Sequence, residues 1–451
     1  TYRGVNRPMI LLRLVLLISF ISLSLGQTTI YVSVNGTDDT GCGQTPNSSC
    51  ASVEQGVSVA CASGGNETIV LVQPGNYTES SININCSVSI QSNGASEDTF
   101  IGFRRSTSFG FTFQDQQEAV FSLIGFSLFT YSNILDSYIT ANYSKSVFLS
   151  DIQIISDAQI LIEMLHVESV ELLDISLNDL NFATFLYTES TTSIIGDNWT
   201  FINGYSSGKY INVINSGSIE ISNMNAVDFS IQDDFINIQS FGGSVVFKNI
   251  TITDVVGSSD YAYGAFVTRL FYIAADETDI DGLYLSQLLK FGNCMLIDSA
   301  VNINDVTIRN FDNVDTYFYL MLTGVEKHAT VSNVDISLSH ISGSCFVLSS
   351  YSELSSFTID SINVNSVYGS TFIISSPPGY GATTLSNSNF YYIRLSYMFE
   401  MYGNKGDLTF ENCSFSDVSQ SPDSNNQGDK NYFFSGTSFD GSIYVISCTF
   451  T

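Results

Sequence analysis

The chain has 451 residues, of which 44% are apolar and 13% are charged, and this composition excludes an intrinsically disordered protein. Asp and Glu number 44 against 15 Lys and Arg, so the formal net charge at pH 7 is −29. Such an acidic surface repels phosphate backbones, which excludes nucleic acid as an expected partner and leaves basic partners or divalent cations compatible with the charge.

The first 26 residues have the pattern of a secretory signal peptide. Arg13 precedes an apolar run from Leu14 to Leu25, and small residues follow at the end of that run. The run is shorter than the roughly 20 residues that cross a bilayer, although an uncleaved N-terminal anchor is the alternative. Position 1 is not a methionine, so Met9 is a candidate for the true start.

Residues 27–86 are expected to form an N-terminal cap with the first coil of the fold described below. Four of the eight cysteines lie here, at Cys42, Cys50, Cys61 and Cys86. An oxidising compartment would allow them to pair, and we favour Cys42–Cys50 with Cys61–Cys86 among the three possible connectivities.

Asn-x-Ser/Thr sites are crowded in the same N-terminal stretch. Together with the signal pattern they predict a glycoprotein that is secreted or displayed on the extracellular face of the plasma membrane. The nine candidate acceptors are Asn35, Asn47, Asn66, Asn76, Asn85, Asn142, Asn198, Asn249 and Asn412.

A repeated frame covers the rest of the chain and is clearest in "VVFKNITITDV" at 245–255. Relative to Asn249, apolar residues lie at offsets −4, −2, +1 and +3. The frame fits thirteen times, and 48 of its 52 positions are apolar. The central positions are all Asn, Asp, Gly or Ser: Gly125, Asp151, Asp174, Asn198, Asn223, Asn249, Gly282, Asp305, Asn333, Ser361, Asn387, Asn412 and Ser447.

The change of phase at the central position predicts a bend. Side chains of a flat strand alternate with a period of two, so the two halves of the frame face one core only if the chain turns between them. Asn, Asp, Gly and Ser tolerate such a turn. We therefore expect a structural column of corner residues, which includes Asn198, Asn223, Asn249, Asp305, Asn333, Asn387 and Asn412.

A spacing near 25 residues with short alternating strands indicates a solenoid whose coils stack parallel strands. A leucine-rich repeat of similar period would need a leucine scaffold and a helix in each repeat, and neither is visible. The predicted fold is all-β, a parallel β-helix of about 13 or more coils that occupies residues 87–451 after the N-terminal cap.

Two N-terminal segments carry a resemblance to a known family. "YVSVNGTDDTGCGQTPNSSCASVEQGV" (31–57) leads into "IVLVQPGNYTES" (69–80). This resembles the entry of right-handed parallel β-helix proteins of the pectin-lyase-like superfamily, and most closely the non-catalytic secreted or cell-surface members of microbial eukaryotes. The resemblance implies a capping helix over 51–61, a strand over Val70–Gln73 and a turn over Pro74–Tyr77.

The same superfamily contains pectate lyases and polygalacturonases, whose motifs are missing here. None of His166, His328 and His340 lies in a Gly-His-Gly element, and the Asp233-Asp234 pair has no companion motif. We expect a module for recognition or adhesion, or a receptor ectodomain, with no cofactor and with an extracellular glycan or surface protein as partner. The alternative is a polysaccharide lyase or glycoside hydrolase.

Two acidic groups are the candidate sites under that alternative. Asp151 and Asp174 hold equivalent positions on adjacent coils, which would suit a retaining glycosidase, although corner residues that bind backbone explain them as well. A calcium site or a solvated loop explains the second group, Asp276, Glu277, Asp279 and Asp281.

Polar loops at 258–264, 376–381 and 421–431 are candidate binding loops or tolerated insertions. The last frame ends at Phe450 without a cap, so we expect the chain to be part of a longer protein. Membrane attachment is expected only through sequence after Thr451 or through an uncleaved signal.

Overall fold

The computed structural model describes most of the chain after the predicted signal peptide. The described residues are 28–63, 68–104, 108–114, 118–131, 135–257, 269–287, 293–309, 312–313, 320–323, 328–349, 356–375, 382–402, 406–419, 432–437 and 441–451. The segment 1–26 predicted as a signal peptide, Asn66 and the loops 258–264, 376–381 and 421–431 lie outside these residues.

Most of the described residues lie in β-strands. A single α-helix, α1 (Val53–Ala62), is described, with 3-10 turns at Pro46–Ser48 and Ser96–Asp98. The strands of the first half are β1 (Thr29–Val32), β2 (Thr68–Val72), β3 (Gly75–Glu79), β4 (Ile82–Ile84), β5 (Val88–Ser92), β6 (Thr99–Phe103), β7 (Phe109–Gln114), β8 (Val120–Thr130), β9 (Ser137–Asn142), β10 (Ser146–Ile154), β11 (Ala158–Leu165), β12 (Ser169–Asn178), β13 (Asn181–Glu189), β14 (Ser193–Asp197), β15 (Thr200–Ser206), β16 (Ile211–Ile214), β17 (Ser218–Ser222) and β18 (Asn225–Ile231). Those of the second half are β19 (Ile236–Gly257), β20 (Arg269–Ser286), β21 (Asn293–Arg309), β22 (Asp312–Asn313), β23 (Leu320–Thr323), β24 (His328–Ser349), β25 (Ser356–Ser375), β26 (Ala382–Ser386), β27 (Asn389–Tyr391), β28 (Arg394–Tyr402), β29 (Leu408–Glu411), β30 (Ser414–Ser416), β31 (Tyr432–Thr437), β32 (Ile443–Ile446) and β33 (Thr449–Phe450).

The strands stack in parallel from coil to coil, which confirms the predicted class, an all-β parallel β-helix. One ladder runs through the strands that precede the corner positions, in the order β1, β2, β5, β8, β10, β12, β14, β17, β19, β20, β21, β24, β25, β26, β29 and β32. The longest stretch of described residues without a gap, 135–257, contains fewer coils than the 13 or more expected. Strands on either side of each gap still pair, so the ladder is continuous.

Each coil contributes strands to three sheets, and the coil that begins at β12 shows the plan. Ser169–Leu173 pairs with β14 in sheet 1, the face before the corner. Ser176–Asn178 pairs with β15 in sheet 2, the face after the corner. Leu186–Glu189 pairs with β16 in sheet 3, which closes the coil. The inward side chains of all three sheets meet in a single core.

All thirteen central positions of the frame have a positive φ. The values at the eleven that are not glycine lie between 50° and 58°, in the left-handed region that re-aims a strand. Two further corners complete the coil. One follows five residues later, as at Asp179, Asn203 and Asp228, and the other separates sheet 3 from sheet 1, as at Tyr143 and His166.

Hydrogen bonds join the corner side chains of successive coils in a row. The amides of Asn249 and Asn412 donate to the corner residues one coil earlier, Asn223 at 3.1 Å and Asn387 at 3.3 Å. Asn223 instead donates diagonally to Asp197 at 2.6 Å, the residue before the previous corner.

The residue before the earlier corner decides between these two arrangements. In three coils it is Asp or Asn, and both the corner amide and the preceding serine hydroxyl of the next coil donate to that side chain. Ser222 and Asn223 both donate to Asp197 in this way. The same arrangement recurs with Ser332 and Asn333 on Asn304, and with Ser386 and Asn387 on Asp360.

Aromatic residues fill parts of the core. Phe185, Trp199, Phe201 and Tyr210 are buried and their rings contact one another, with centroids 5.0 to 6.0 Å apart. Near the C-terminal end, Phe390, Phe415 and Phe450 stack with centroid spacings of 4.8 and 5.0 Å. These columns follow directly from the register of the ladder, which places equivalent side chains above one another.

The N-terminal cap closes the first coil. Helix α1 lies at the position implied by the resemblance for the capping helix. Strand β2 ends at Val72 and β3 begins at Gly75, so the implied turn over Pro74–Tyr77 is shorter than expected and its last three residues belong to a strand. The predicted disulfide pairing is present: Cys42 bonds to Cys50 and Cys61 bonds to Cys86. Within the described residues no helix is both long and apolar enough to cross a membrane.

Candidate functional site

Asp151 and Asp174, the candidate catalytic pair, occupy adjacent positions in the corner column. Both have positive φ, and the register of β10 on β12 places them opposite each other. Each carboxylate accepts a hydrogen bond from another coil, Asp151 from Ser96 Oγ at 2.8 Å and Asp174 from the amide of Asn198. The structure therefore gives both residues a role in joining coils of the stack.

The four acids of the candidate calcium site lie within one strand, β20. Asp279 and Asp281 point outward and accept hydrogen bonds from Asn302 and Asn304 of the next coil, at 3.0 and 2.8 Å. Asp276 accepts from the backbone of Gly242 at 3.3 Å. Among the residues described, no group of three or more His, Cys, Asp and Glu side chains is gathered closely enough to hold a metal ion.

The candidate glycosylation sites differ in the exposure of the asparagine and in whether its amide nitrogen donates a hydrogen bond. Asn35, Asn47, Asn76 and Asn85 are exposed around the cap. Asn198, Asn249 and Asn412 are also exposed, but their amide nitrogens donate within the corner column. Asn142 is half-buried on the outer face of sheet 3.

The outer face of sheet 3 is unusually sheltered for side chains that point away from the core. Thr140 is 8% exposed and Asn237 is fully buried, whereas Ile195 on the outer face of sheet 1 is 40% exposed. One outward column runs across six coils in register, through Thr140, Glu163, Tyr187, Asn212, Asn237 and Tyr272. Such a run of hydroxyls, amides, carboxylates and aromatic rings can hydrogen-bond and stack on a polar ligand.

At one end of this column, two glutamates flank a tyrosine. Thr140 Oγ1 donates to Glu163 at 3.4 Å, and Tyr187 OH donates to Glu189 at 3.0 Å. Burial raises the pKa of the Glu163 carboxyl, and the negative charge of Asp136 adds to that effect. Burial also raises the pKa of Tyr187, assisted by Glu189, so its hydroxyl remains a donor at neutral pH.

A shallow cavity adjoins these residues where β9, β11 and β13 end. Its volume is about 250 Å³, and it is lined by the corner residues Tyr143, His166 and Ser190 and by Ser144, Val167, Glu168 and Thr192. The rings of Tyr143 and His166 stack nearly parallel with centroids 4.7 Å apart. We call Thr140, Asn142, Tyr143, Glu163, His166, Tyr187 and Glu189 the sheet-3 patch.

At the other end of the column, an ion pair joins two adjacent coils. The guanidinium of Arg269 donates to both carboxylate oxygens of Asp234, at 2.7 and 2.8 Å, and Asp234 is fully buried. Arg269 also lies over the ring of Tyr272, 4.4 Å from its centroid. The Asp233-Asp234 pair of the sequence thus contributes one structural ion-pair partner.

Sequence reasoning missed the sheet-3 patch and the cavity. The frame marks only inward positions, and an outward Glu or Tyr in a strand looks like any solvated residue. A signal was nevertheless present, because Glu163, Tyr187, Asn212 and Asn237 recur at intervals of 24, 25 and 25 residues, the same period as the frame.

No family model and no curated protein matches this chain. Among solved structures it is similar to the catalytic unit of a GH87 α-1,3-glucanase from Streptomyces thermodiastaticus, with 12% identity and a TM-score of 0.39 over 94% of this chain and 69% of the other. It is also similar to tailspike protein 3 of bacteriophage CBA120, with 11% identity, a TM-score of 0.35 and coverage of 93% and 61%. A third is PfbA, a surface adhesin of Streptococcus pneumoniae, with 11% identity, a TM-score of 0.27 and coverage of 93% and 92%. Likeness at these values carries no argument about function.

Proposed function

We propose that this chain is an extracellular recognition module of the kind represented by non-catalytic cell-surface β-helix proteins, and that it binds a glycan along the outer face of sheet 3. The observation that carries the proposal is the sheltered outward column from Thr140 to Tyr272. Sugars bind where several fixed hydrogen-bonding groups lie beside aromatic rings, and a sheltered position strengthens each polar contact.

Secretion is part of this proposal. Two disulfides in the cap are typical of oxidising compartments, and the signal pattern over 1–26 and the exposed sequons agree with export. In the mature protein, residues 27–86 would form the cap and 87–451 the recognition helix.

A screen of the purified protein against immobilised extracellular glycans tests the proposal. We expect binding that Tyr187→Ala weakens by about tenfold or more, because the substitution removes a ring and a hydroxyl from the sheltered column. Tyr284→Ala is the matched control, since Tyr284 is an outward, 36% exposed tyrosine on sheet 2. Equal losses in both variants, or no glycan bound at all, would contradict the proposal.

Glycoside hydrolysis is the second candidate, and one observation favours it. Glu163 is a half-buried carboxyl whose pKa is raised by burial, and Tyr187, its partner in the register of β11 and β13, holds a second carboxyl, that of Glu189. Two carboxyl groups on one face are the minimum for that chemistry. Release of reducing sugar from a bound glycan, lost in Glu163→Gln, would decide for the hydrolase. Binding without release decides for recognition.

A further inference from the structure

We propose that the sheet-3 patch recognises a glycan that carries positively charged amino groups, that is, a polymer of hexosamine with free amines. This inference rests on the proposed function and adds the chemical class of the ligand.

The first argument is that Glu163 and Glu189 form no ion pair within the described part of the chain. The ion pairs of the described residues join Lys145 to Glu118, Lys248 to Glu220, Arg269 to Asp234 and Arg309 to Asp335. Neither Glu163 nor Glu189 belongs to one. Glu163 carries the desolvation penalty of a half-buried carboxyl with only a long hydrogen bond from Thr140, and an ammonium group of a ligand would offset that penalty.

The second argument is that the site has more acceptors than donors. The Oδ1 atom of Asn142 is buried and has no hydrogen-bond partner among the described residues. Register places Asn142 and Glu189 on the same outward column, with Leu165 between them. An ammonium group offers three donors and no acceptor, which fits this surplus.

The third argument favours a sugar over an isolated cation. Tyr143 and His166 present a flat, stacked pair beside the carboxylates, and Tyr143 is 43% exposed. A ring face of this kind packs against the apolar face of a sugar and also attracts a nearby cation. The cavity of about 250 Å³ extends the contact surface past the end of the strands.

The net charge of the whole chain also favours a positively charged ligand. A net charge of −29 raises the local concentration of polycations and repels anionic polysaccharides such as polygalacturonate. This long-range attraction is not specific to the patch, so the experiment must separate the two.

The probe is a glucosamine oligomer with free amines, compared with its fully N-acetylated counterpart of the same length. Binding is measured by isothermal titration calorimetry at physiological ionic strength with the wild type, Glu163→Gln and Glu189→Gln. Glu171→Gln is the matched control, because Glu171 is also half-buried, has a pKa raised by burial, lies on the outer face of sheet 1 and forms no described ion pair. A Ser144→Ala background removes the sequon of Asn142 without changing that side chain.

We expect the free-amine oligomer to bind about tenfold or more tightly than the acetylated one, the strength of a charge-assisted hydrogen bond. Glu163→Gln and Glu189→Gln should each remove most of this preference, whereas Glu171→Gln should keep it. An equal loss in Glu171→Gln would show unspecific charge attraction and overturn the inference.

Three other outcomes separate the inference from the proposed function. If both oligomers bind equally and Tyr187→Ala abolishes that binding, the proposed glycan-binding face is supported and the amino-sugar inference is overturned. Displacement of the oligomer by pentalysine at equal affinity assigns the patch to a basic protein partner and overturns it as well. If no glycan binds, both proposals fail.

Discussion

Two buried tyrosines differ in whether the hydroxyl has a partner. Tyr138 OH contacts Ser156 Oγ at 2.5 Å and is close to its carbonyl oxygen, at 3.1 Å. Tyr210 is fully buried among Phe182, Phe185 and Phe235, and its hydroxyl has no described partner. A buried hydroxyl without a hydrogen bond carries its full desolvation cost, whereas a paired hydroxyl recovers it.

Replacement of each tyrosine by phenylalanine should therefore have opposite effects. We expect Tyr210→Phe to leave the free energy of unfolding unchanged or to raise it, and Tyr138→Phe to lower it by about 1 kcal/mol. Urea denaturation followed by circular dichroism compares the two variants with the wild type. A similar loss in both variants would mean that Tyr210 OH has a partner in solution.

At the scale of one element, the corner depends on the left-handed backbone as well as on the side chain. Asn223 has a φ of 54°, donates to Asp197 and accepts from Asn249. Asn223→Gly and Asn223→Ala lose the same hydrogen bonds, but only alanine has a Cβ that disfavours positive φ. We expect the alanine variant to be less stable than the glycine variant by about 1 kcal/mol, measured by urea denaturation.

A position of ordinary strand geometry provides the control for that comparison. Ser218 is an exposed residue at the start of β17, where glycine should be the less stable choice by about 0.5 to 1 kcal/mol because it loses more backbone freedom on folding. The order of glycine and alanine should thus reverse between the two positions. The same order at both would contradict a backbone role for the corner.

The cap is attached to the first coil through a buried glutamate. Glu79 on β3 accepts hydrogen bonds from the backbone nitrogens of Val53 and Glu54, at 2.7 and 3.3 Å, at the start of α1. Glu79→Ala leaves both helix amides without this partner and should cost about 2 kcal/mol, whereas Glu79→Gln keeps one acceptor and should cost less. Thermal unfolding of the two variants measures the difference.

Glu79 should also make the stability of the cap depend on pH. Burial raises the pKa of its carboxyl, with further contributions from Glu54 and Asp38. Because the folded pKa lies above the unfolded value, protonation favours the folded state, and stability rises as the pH falls through the folded pKa and levels off below the unfolded one. As the pH falls over that range, the free energy of unfolding of the wild type should rise relative to that of Glu79→Gln. Parallel pH profiles of the two proteins would contradict this.

At the scale of the whole molecule, the sequence predicted the corner whose residue type repeats and missed the two corners whose residue type varies. The central corner was visible because Asn, Asp, Gly or Ser occupies it in all thirteen fits of the frame. The corner five residues later includes Gln287 and Tyr392, and the corner before sheet 1 includes Tyr143 and His166, so residue type does not mark them. Their positive φ goes with their place in the coil and not with one residue type.

The sheet-3 patch was hidden for a different reason. Its residues point outward, where alternation permits any polar side chain, and their shelter depends on neighbours from other coils. The stacking of Thr140, Glu163 and Tyr187 in register shows that they form one surface. The disulfides of the cap follow the favoured one of three possible connectivities, in which the first cysteine pairs with the second and the third with the fourth.

Because each coil pairs only with its neighbours, the molecule should tolerate the loss of one complete coil. Removal of residues 388–412 joins Asn387 to Cys413, so every later corner and inward position keeps its phase and β30 takes the place of β27 on the preceding coil. Phe415 and Phe450 still stack, and the sheet-3 patch is distant in the chain. We expect a folded protein with one cooperative thermal transition close to that of the wild type and with unchanged glycan binding.

Removal of residues 388–400 is the contrasting change, about half a coil from the same place. It moves each later strand to the wrong sheet and turns inward side chains outward, because a slip in phase exchanges the two faces of a strand. We expect this shorter deletion to lose cooperative unfolding and resistance to limited proteolysis, although it removes fewer residues. If both deletions unfolded the protein alike, stability would depend on contacts beyond neighbouring coils, and the one-dimensional description of this β-helix would be wrong.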